Sequence, residues 1–358
     1  MANNATKMIL QNLTHRVKTT ICIISVFSST LFISSCQKEN TQTTNINAPN
    51  INNLSPLATA AKPPKYKLTA PIYLINASNI VITGDSINGG SNVGITLINC
   101  TNIHITKSKI MNAPAQRGIW VSNCTNVLID SCYISNVGTG VYAHDSRQVR
   151  VLSNQFLNMK ATWGNFVEFD NVSGGYNRIN YNKCENVKGV ANPSIGDGIN
   201  LYKSNGLPTD PIYVLGNWIR GGGQTTGGSG MSGIVAGDLG GSYQDFEDNI
   251  LVNTGYVGLQ VQGGTHITVK NNKIYSDLVP WSGLGLGSAN YSTSPSNSNI
   301  ITGNQVNWHA GYLNMKQRDT SYKAANNNAM PTGWKNNTVK SAVITANILP
   351  AVIIKQPY

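Results

Sequence analysis

Only 15 of the 358 residues are acidic, yet Asp145, Glu168, Asp170, Asp197 and Asp238 fall at related positions, with Tyr142, His144, Tyr202 and Lys203 close by in the chain. Carboxyl, imidazole, phenol and amine groups gathered on one face are the equipment of general acid–base chemistry. Glu168 and Asp170 alternate on one extended segment and so point the same way. Two like charges that close raise a carboxyl pKa and keep a proton available near neutrality. The same residues have a plainer use, because solvent-facing strand positions must be polar, and neighbouring pairs such as His144 with Asp170 stabilise adjacent strands by about 0.2–1 kcal/mol without any substrate.

For these residues to meet, segments 20 to 40 residues apart must lie side by side, and an internal repeat supplies that. GITLINCTNIHITKSKIMN (94–112), GIWVSNCTNVLIDSCYISN (118–136), GVYAHDSRQVRVLSNQFLN (140–158) and GLQVQGGTHITVKNNKIYS (258–276) are four copies of one unit. Each holds three short stretches of alternating apolar and polar residues, the period of half-buried strands. One unit cannot cover its own apolar face, so units must stack on one another. Composition agrees: only 11% of residues are charged, against about a quarter in an ordinary globular chain, while 47 are Asn and 35 Gly. Helices need Glu, Lys and Arg on their solvent faces; this chain is all-β.

A polar residue recurs in the turn between the second and third strands, with Ser108 and Cys132 in early units and then Asn154, Asn182, Asn217, Asn249, Asn272, Asn304 and Asn337. Asn tolerates the left-handed backbone of tight turns, and stacked carboxamides can bond from coil to coil. This pattern resembles the asparagine ladder of right-handed parallel β-helices, the pectate-lyase-like superfamily. The resemblance covers about residues 71–340 and implies a single-stranded β-helix of nine to ten coils within a domain 69–358. It implies no single activity, since many share that architecture.

In each Gly-Ile-x-Val-x strand the second and fourth residues face the core and the third and fifth face solvent. Stacking gives one outward column of Thr96, Trp120, Tyr142, Glu168, Asn200, Val235 and Gln260. The other holds Ile98, Ser122, His144, Asp170, Tyr202, Gly237 and Gln262. Asp145, Asn171, Lys203 and Asp238 follow at the strand exit. The longest insertions, 185–197, 203–211 and 220–232, flank the central coils and would wall a groove. Trp163 and Trp281 lie in turns beside it and offer stacking surfaces for sugar rings.

The segments Gly196-Asp197-Gly198 and Ser232–Asp238 stand where polygalacturonase-type hydrolases, which they resemble in position, carry Gly-Asp-Asp and Gly-His-Gly motifs. Only Asp197 matches; Gly198 replaces the second Asp and no His is present. A β-helix lyase would instead need a base, for which Lys203, His144 and Tyr202 are candidates. It would also need a neutraliser for the uronate: Asn200 with Lys203, or a calcium ion held by Asp145, Glu168 and Asp170. Two function classes stay open: an enzyme cleaving polysaccharide, in particular acidic glycan, or a non-catalytic glycan-binding or adhesin-like surface protein. Catalysis would fall to His144, Glu168, Asp170, Tyr202 and Lys203. Contacts would come from Tyr142, Trp163, Asp197, Asn200, Asp238, Gln260 and Gln262. Lys and Arg are scattered with no basic stripe, which argues against nucleic acid. A monomer is expected.

Lys7, Arg16 and Lys18 precede an apolar run, Thr19 to Ile33, that is short for a membrane span and ends in Ile33-Ser34-Ser35-Cys36. Residues 1–35 read as a secretory signal resembling that of bacterial lipoproteins, with Cys36 as the lipid attachment. The alternatives are an uncleaved anchor or plain secretion. The leader holds three positive charges and no negative one, so the mature chain keeps +8 of the total +11, a mild bias toward anionic partners. Residues 36–68, polar and proline-dotted, read as a flexible tether. The expected location is the cell envelope, anchored at the outer membrane or cell surface. Cys100, Cys124, Cys132 and Cys184 lack metal-site spacing. Cys100 and Cys124, in identical Asn-Cys-Thr-Asn runs, are expected to stack as small apolar side chains rather than to form a disulfide. Cys36→Ala should move the protein from the membrane pellet to the soluble fraction; wild-type levels in the pellet would rule out the lipid.

Overall fold

The structure is a computed structural model that describes residues 65–225, 232–314 and 316–356. Contacts divide the chain into Met1–Ala60 and Ala61–Tyr358, and all described residues lie in the second unit. The signal, Cys36 and nearly all of the tether lie outside them. Among the described residues no helix is long and apolar enough to cross a membrane.

Alternating sequence becomes alternating burial. Val167–Asp170 buries Val167 and Phe169 and leaves Glu168 and Asp170 partly exposed, and Ile212–Leu215 repeats the pattern. Named strand pairs in the two sheets run parallel, and each strand pairs with its counterpart one repeat later, as Val141 with Val167 and Val167 with Ile199. The second strands of the repeats form a nine-stranded sheet, and the first and third strands a larger sheet of nineteen. The chain is therefore a parallel β-helix with nine complete coils. Its interior is a continuous stack of Ile, Val, Leu and Phe, including fully buried Phe156, Phe166, Phe169 and Phe246.

A Gly recurs before most first strands, with Phe166 in its place before Val167, and it has a steric cause. A Cβ on Gly140 would lie 2.4 Å from the Phe166 carbonyl oxygen and 2.6 Å from the Phe156 ring; one on Gly198 would lie 2.5 Å from the Gly233 oxygen. At these two glycines the backbone of the next coil approaches too closely for a Cβ.

The asparagine ladder is continuous. Asn154 Nδ2 donates to Asn182 Oδ1 at 3.1 Å, Asn182 to Asn217 at 3.0 Å, Asn217 to Asn249, Asn249 to Asn272 and Asn272 to Asn304 at 2.9 Å, and Asn304 to Asn337 at 2.7 Å. Each Oδ1 also accepts the backbone N–H of the preceding ladder residue, and each Nδ2 reaches a carbonyl on an adjacent strand, as Asn217 reaches Ile179 at 2.7 Å. In the earlier coil Cys132 N–H donates to Asn154 Oδ1. The expected left-handed backbone belongs not to these Asn residues but, for all except Asn337, to the residue before each: Ser153, Tyr181, Gly216, Asp248, Asn271 and Gly303. Left-handed Asn fills other turns, at Asn76, Asn99, Asn123 and Asn171 after first strands and at Asn79, Asn102 and Asn126 at the start of second strands. Several such turns per coil, together with the ladder, account for the Asn-rich composition. A second ladder runs through the turn after the first strand, where Cys100 N–H donates to Cys124 Sγ, Cys124 N–H to Ser146 Oγ and Val172 N–H to Ser204 Oγ. Cys100, Cys124, Cys132 and Cys184 are buried and free, so the paired Asn-Cys-Thr-Asn runs stack as expected.

After the last coil the chain turns back. Leu349, Ile353 and Ile354 cover Tyr133, Trp218 and Val252 on the outer face of the third strands, and Arg220 holds the carbonyls of Pro350 and Ala351. Asn217→Ala should lower stability by about 1–3 kcal/mol in chemical denaturation, because buried backbone groups on both sides lose their partners; an unchanged midpoint would mean the ladder contributes nothing.

Candidate functional site

The first-strand face carries the outward columns in the expected order. Thr96 pairs with Trp120, Trp120 with Tyr142, Tyr142 with Glu168, Glu168 with Asn200, Asn200 with Val235 and Val235 with Gln260. Beside them Ser122 pairs with His144, His144 with Asp170 and Asp170 with Tyr202. The next pairing corrects the expected column: Tyr202 faces Asp238, not Gly237. Gly237 is an inserted residue with φ +60°, and this bulge brings Asp238 onto the face and gives Leu239 the left-handed exit position.

Glu168 sits at the centre. Burial, followed by the repulsion of Asp170, pushes its carboxyl up to about 7, and Asp197 and Asp238 push the same way, while the Arg117 guanidinium opposes them. Asp197 lies under the face, nearly inaccessible, with Oδ1 accepting the Ser232 N–H at 2.8 Å; burial raises it to about 6 despite that bond. Asp238 is also raised by burial, partly offset by Asn200 Nδ2, which donates to its Oδ2 at 3.0 Å. Asn200 Oδ1 is buried and has no hydrogen-bond partner.

Tyr142, His144 and Asp170 form a separate group. The Tyr142 hydroxyl donates to Asp170 Oδ2 at 2.6 Å, and burial and that carboxylate push the phenol upward, so it serves as a donor only. His144 lies between two carboxylates, with Nε2 2.8 Å from Asp145 Oδ2 and Nδ1 3.2 Å from Asp170 Oδ2, the latter off the direction a hydrogen bond requires. Asp145 also accepts from Asn171 Nδ2 at 2.5 Å. Asp145 and Asp170 are thus engaged with His144, Tyr142 and Asn171, and no group of three or more His, Cys, Asp or Glu among the described residues could hold a metal ion.

Other expected residues lie further out. Lys203 Nζ stands 4.9 Å above the Tyr202 ring at the rim. Trp163 is exposed in the turn before Glu168, its N–H bonded to the Ser194 carbonyl, next to the loop that leads into Asp197. Gln260 and Gln262 bond each other beyond Val235, away from Glu168. Trp281, with Lys188 Nζ 5.2 Å above it, lines a separate pocket of about 310 Å³ with Arg220, Gln224 and Asn253.

Arg117 escaped the sequence reading. It precedes the Gly of its coil, a position that strict alternation assigns to the core side. The register shift between Ala113 and Arg117 turns it onto the face, where its guanidinium lies 4.3 Å from the Tyr142 ring centre and 5.3 Å from that of Trp120. Toward the first coils the same face opens into a cleft of about 590 Å³ lined by Tyr73, Ser91, Asn92, Thr96, Gln116 and Trp120.

A family model described as right handed beta helix region matches residues 70–238. No curated protein matches the chain. Similar solved structures include the surface adhesin PfbA of Streptococcus pneumoniae, at 9% identity and TM-score 0.46 over 76% of each chain. DFA-IIIase from Arthrobacter chlorophenolicus A6 without its lid is similar at 11% identity and TM-score 0.31, over 68% of this chain and 71% of that one. The catalytic unit of a GH87 alpha-1,3-glucanase from Streptomyces thermodiastaticus follows at 14% and 0.28, over 72% of this chain and 50% of that one. These likenesses extend to the coiled architecture alone. The parallel coils and the asparagine ladder make the described part of this chain a parallel β-helix, of which residues 70–238 match the right handed beta helix region.

Proposed function

We propose that this protein cleaves polysaccharide bound along the first-strand face of its central coils, with Glu168 as the proton donor. The observation that carries the reading is the Glu168 carboxyl, raised to about 7 in the middle of a face that otherwise offers Tyr142, Asn200 and Asp238. A carboxyl half-protonated near neutrality suits the protonation of a departing glycosidic oxygen. Asp238, across Asn200 and Tyr202, is the second carboxylate of the face and the candidate to orient water. For a lyase the base would be Lys203 or Tyr202, since both ring nitrogens of His144 already face carboxylates. Secretion and a lipid on Cys36 would place this activity in the cell envelope.

A second reading, glycan binding without cleavage, draws on the engagement of Asp170 and Asp197 with protein donors, which leaves fewer groups free to act on a bond. The full-length protein incubated with a panel of acidic and neutral polysaccharides separates the two. Reducing-end release together with absorbance of an unsaturated product identifies a lyase, and reducing ends alone a hydrolase. Retention without either supports the binding reading and overturns cleavage. Glu168→Gln should lower turnover by about 10²-fold or more, the usual effect of losing a general acid.

The raised carboxyl also marks stability. Glu168 keeps its proton to about pH 7 when folded but only to its ordinary 4.5 when unfolded, so between these values the folded state binds more protons and stability falls as pH rises. Asp197 adds the same sign from 3.8 to about 6. The Tm should decline from pH 4.5 to 7.5, and less steeply in Glu168→Gln. Parallel profiles for the two proteins would show that Glu168 titrates normally.

A further inference from the structure

Arg117 stands at the border of the cleft beside the acidic centre, next in the chain to Gln116 and over the Trp120 ring, both of which line that cleft. Arg117 has no side-chain hydrogen bond or ion pair among the described residues; its contacts are the faces of Tyr142 and Trp120. Arg178 and Arg220, by contrast, are paired with Asp210 and Glu185. A guanidinium over ring faces, with no polar side-chain partner, has N–H groups that match a carboxylate or sulfate in a two-pronged fit. Trp120 Nε1 is a second buried donor without a partner. The surrounding cleft, about 590 Å³ with Tyr73 and Trp120 as aromatic surfaces and Ser91, Asn92, Thr96 and Gln116 as polar ones, has the size and mixed lining of a sugar subsite.

We infer that the cleft bordered by Arg117 is a subsite for an anionic sugar unit, its carboxylate or sulfate paired with Arg117 at the border and its ring lying against Trp120. This rests on the polysaccharide reading above and adds the substrate class and its orientation. On the other side of Tyr142 stand Glu168, Asp170 and Asp238, which would repel an anion. The charged unit must therefore occupy the coils before Tyr142, with the bond to be cleaved over Glu168. Arg117 is a specificity-determining residue here and takes no part in proton transfer.

The test is calorimetric titration of the full-length protein with α- and β-linked oligouronates, with the same oligomers after carboxyl reduction, and with sulfated oligosaccharides of neutral sugars. At least one acidic series should bind about 10-fold or more tightly than its uncharged counterpart, and the arm that does so identifies carboxylate or sulfate as the group recognised. Arg117→Gln should weaken that binding by about 10- to 100-fold, the worth of a charge-assisted pair, and change uncharged oligomers by less than about threefold. Arg117→Lys should restore part of the affinity, and both variants should keep the wild-type Tm. Binding or cleavage of neutral glycans with no acidic preference, or an equal effect of Arg117→Gln on charged and uncharged ligands, overturns the anionic subsite and leaves the polysaccharide reading standing. Absence of binding and cleavage across every glycan, charged or not, overturns both.

Discussion

Everything on the first-strand face depends on coils stacking in register at the spacing of neighbouring strands, roughly 4.8 Å. The apolar interior drives stacking but is indifferent to sliding, since Ile, Val and Leu fill successive layers almost interchangeably. The ladder from Asn154 to Asn337 supplies the missing specificity, because each carboxamide must meet one Oδ1 and one carbonyl or leave buried polar groups unpaired. In the early coils Ser108 and Cys132 occupy this row without a carboxamide, and the Cys100–Cys124–Ser146 row helps hold the opposite turn.

Register turns sequence repetition into electrostatics. A column of outward residues one strand apart forces neighbours to interact whatever their charge, and here Asn200 is the spacer that keeps Glu168 from facing another acid across the strand. Burial does more to the Glu168 carboxyl than its charged neighbours do, since the surrounding face removes water while Arg117 is the opposing cation. Tyr142 belongs to both halves of the face: its hydroxyl serves Asp170, and its ring supports Arg117. Acidic centre and basic flank are thereby joined through one side chain.

What the sequence by itself determined was everything periodic. The alternation, the Gly-Ile-x-Val rows and the spaced Asn residues led to an all-β stack of nine to ten coils, to the ladder residue by residue, and to the neighbours of Glu168 up to Tyr202, because in a repeat the pairing partner is simply the equivalent residue one unit on. Tertiary structure decided what interrupts the period. Gly237 shifts Asp238 into the column, and the bend before Arg117 carries a nominally inward residue to the surface; neither follows from counting, since a bulge alters direction without altering residue types. It also decided how groups on the face divide their bonds, with Tyr142 donating to Asp170, His144 Nε2 set against Asp145, and Glu168 without a hydrogen-bond partner among the described residues, because partners are set by rotamers and distances that strand order does not contain.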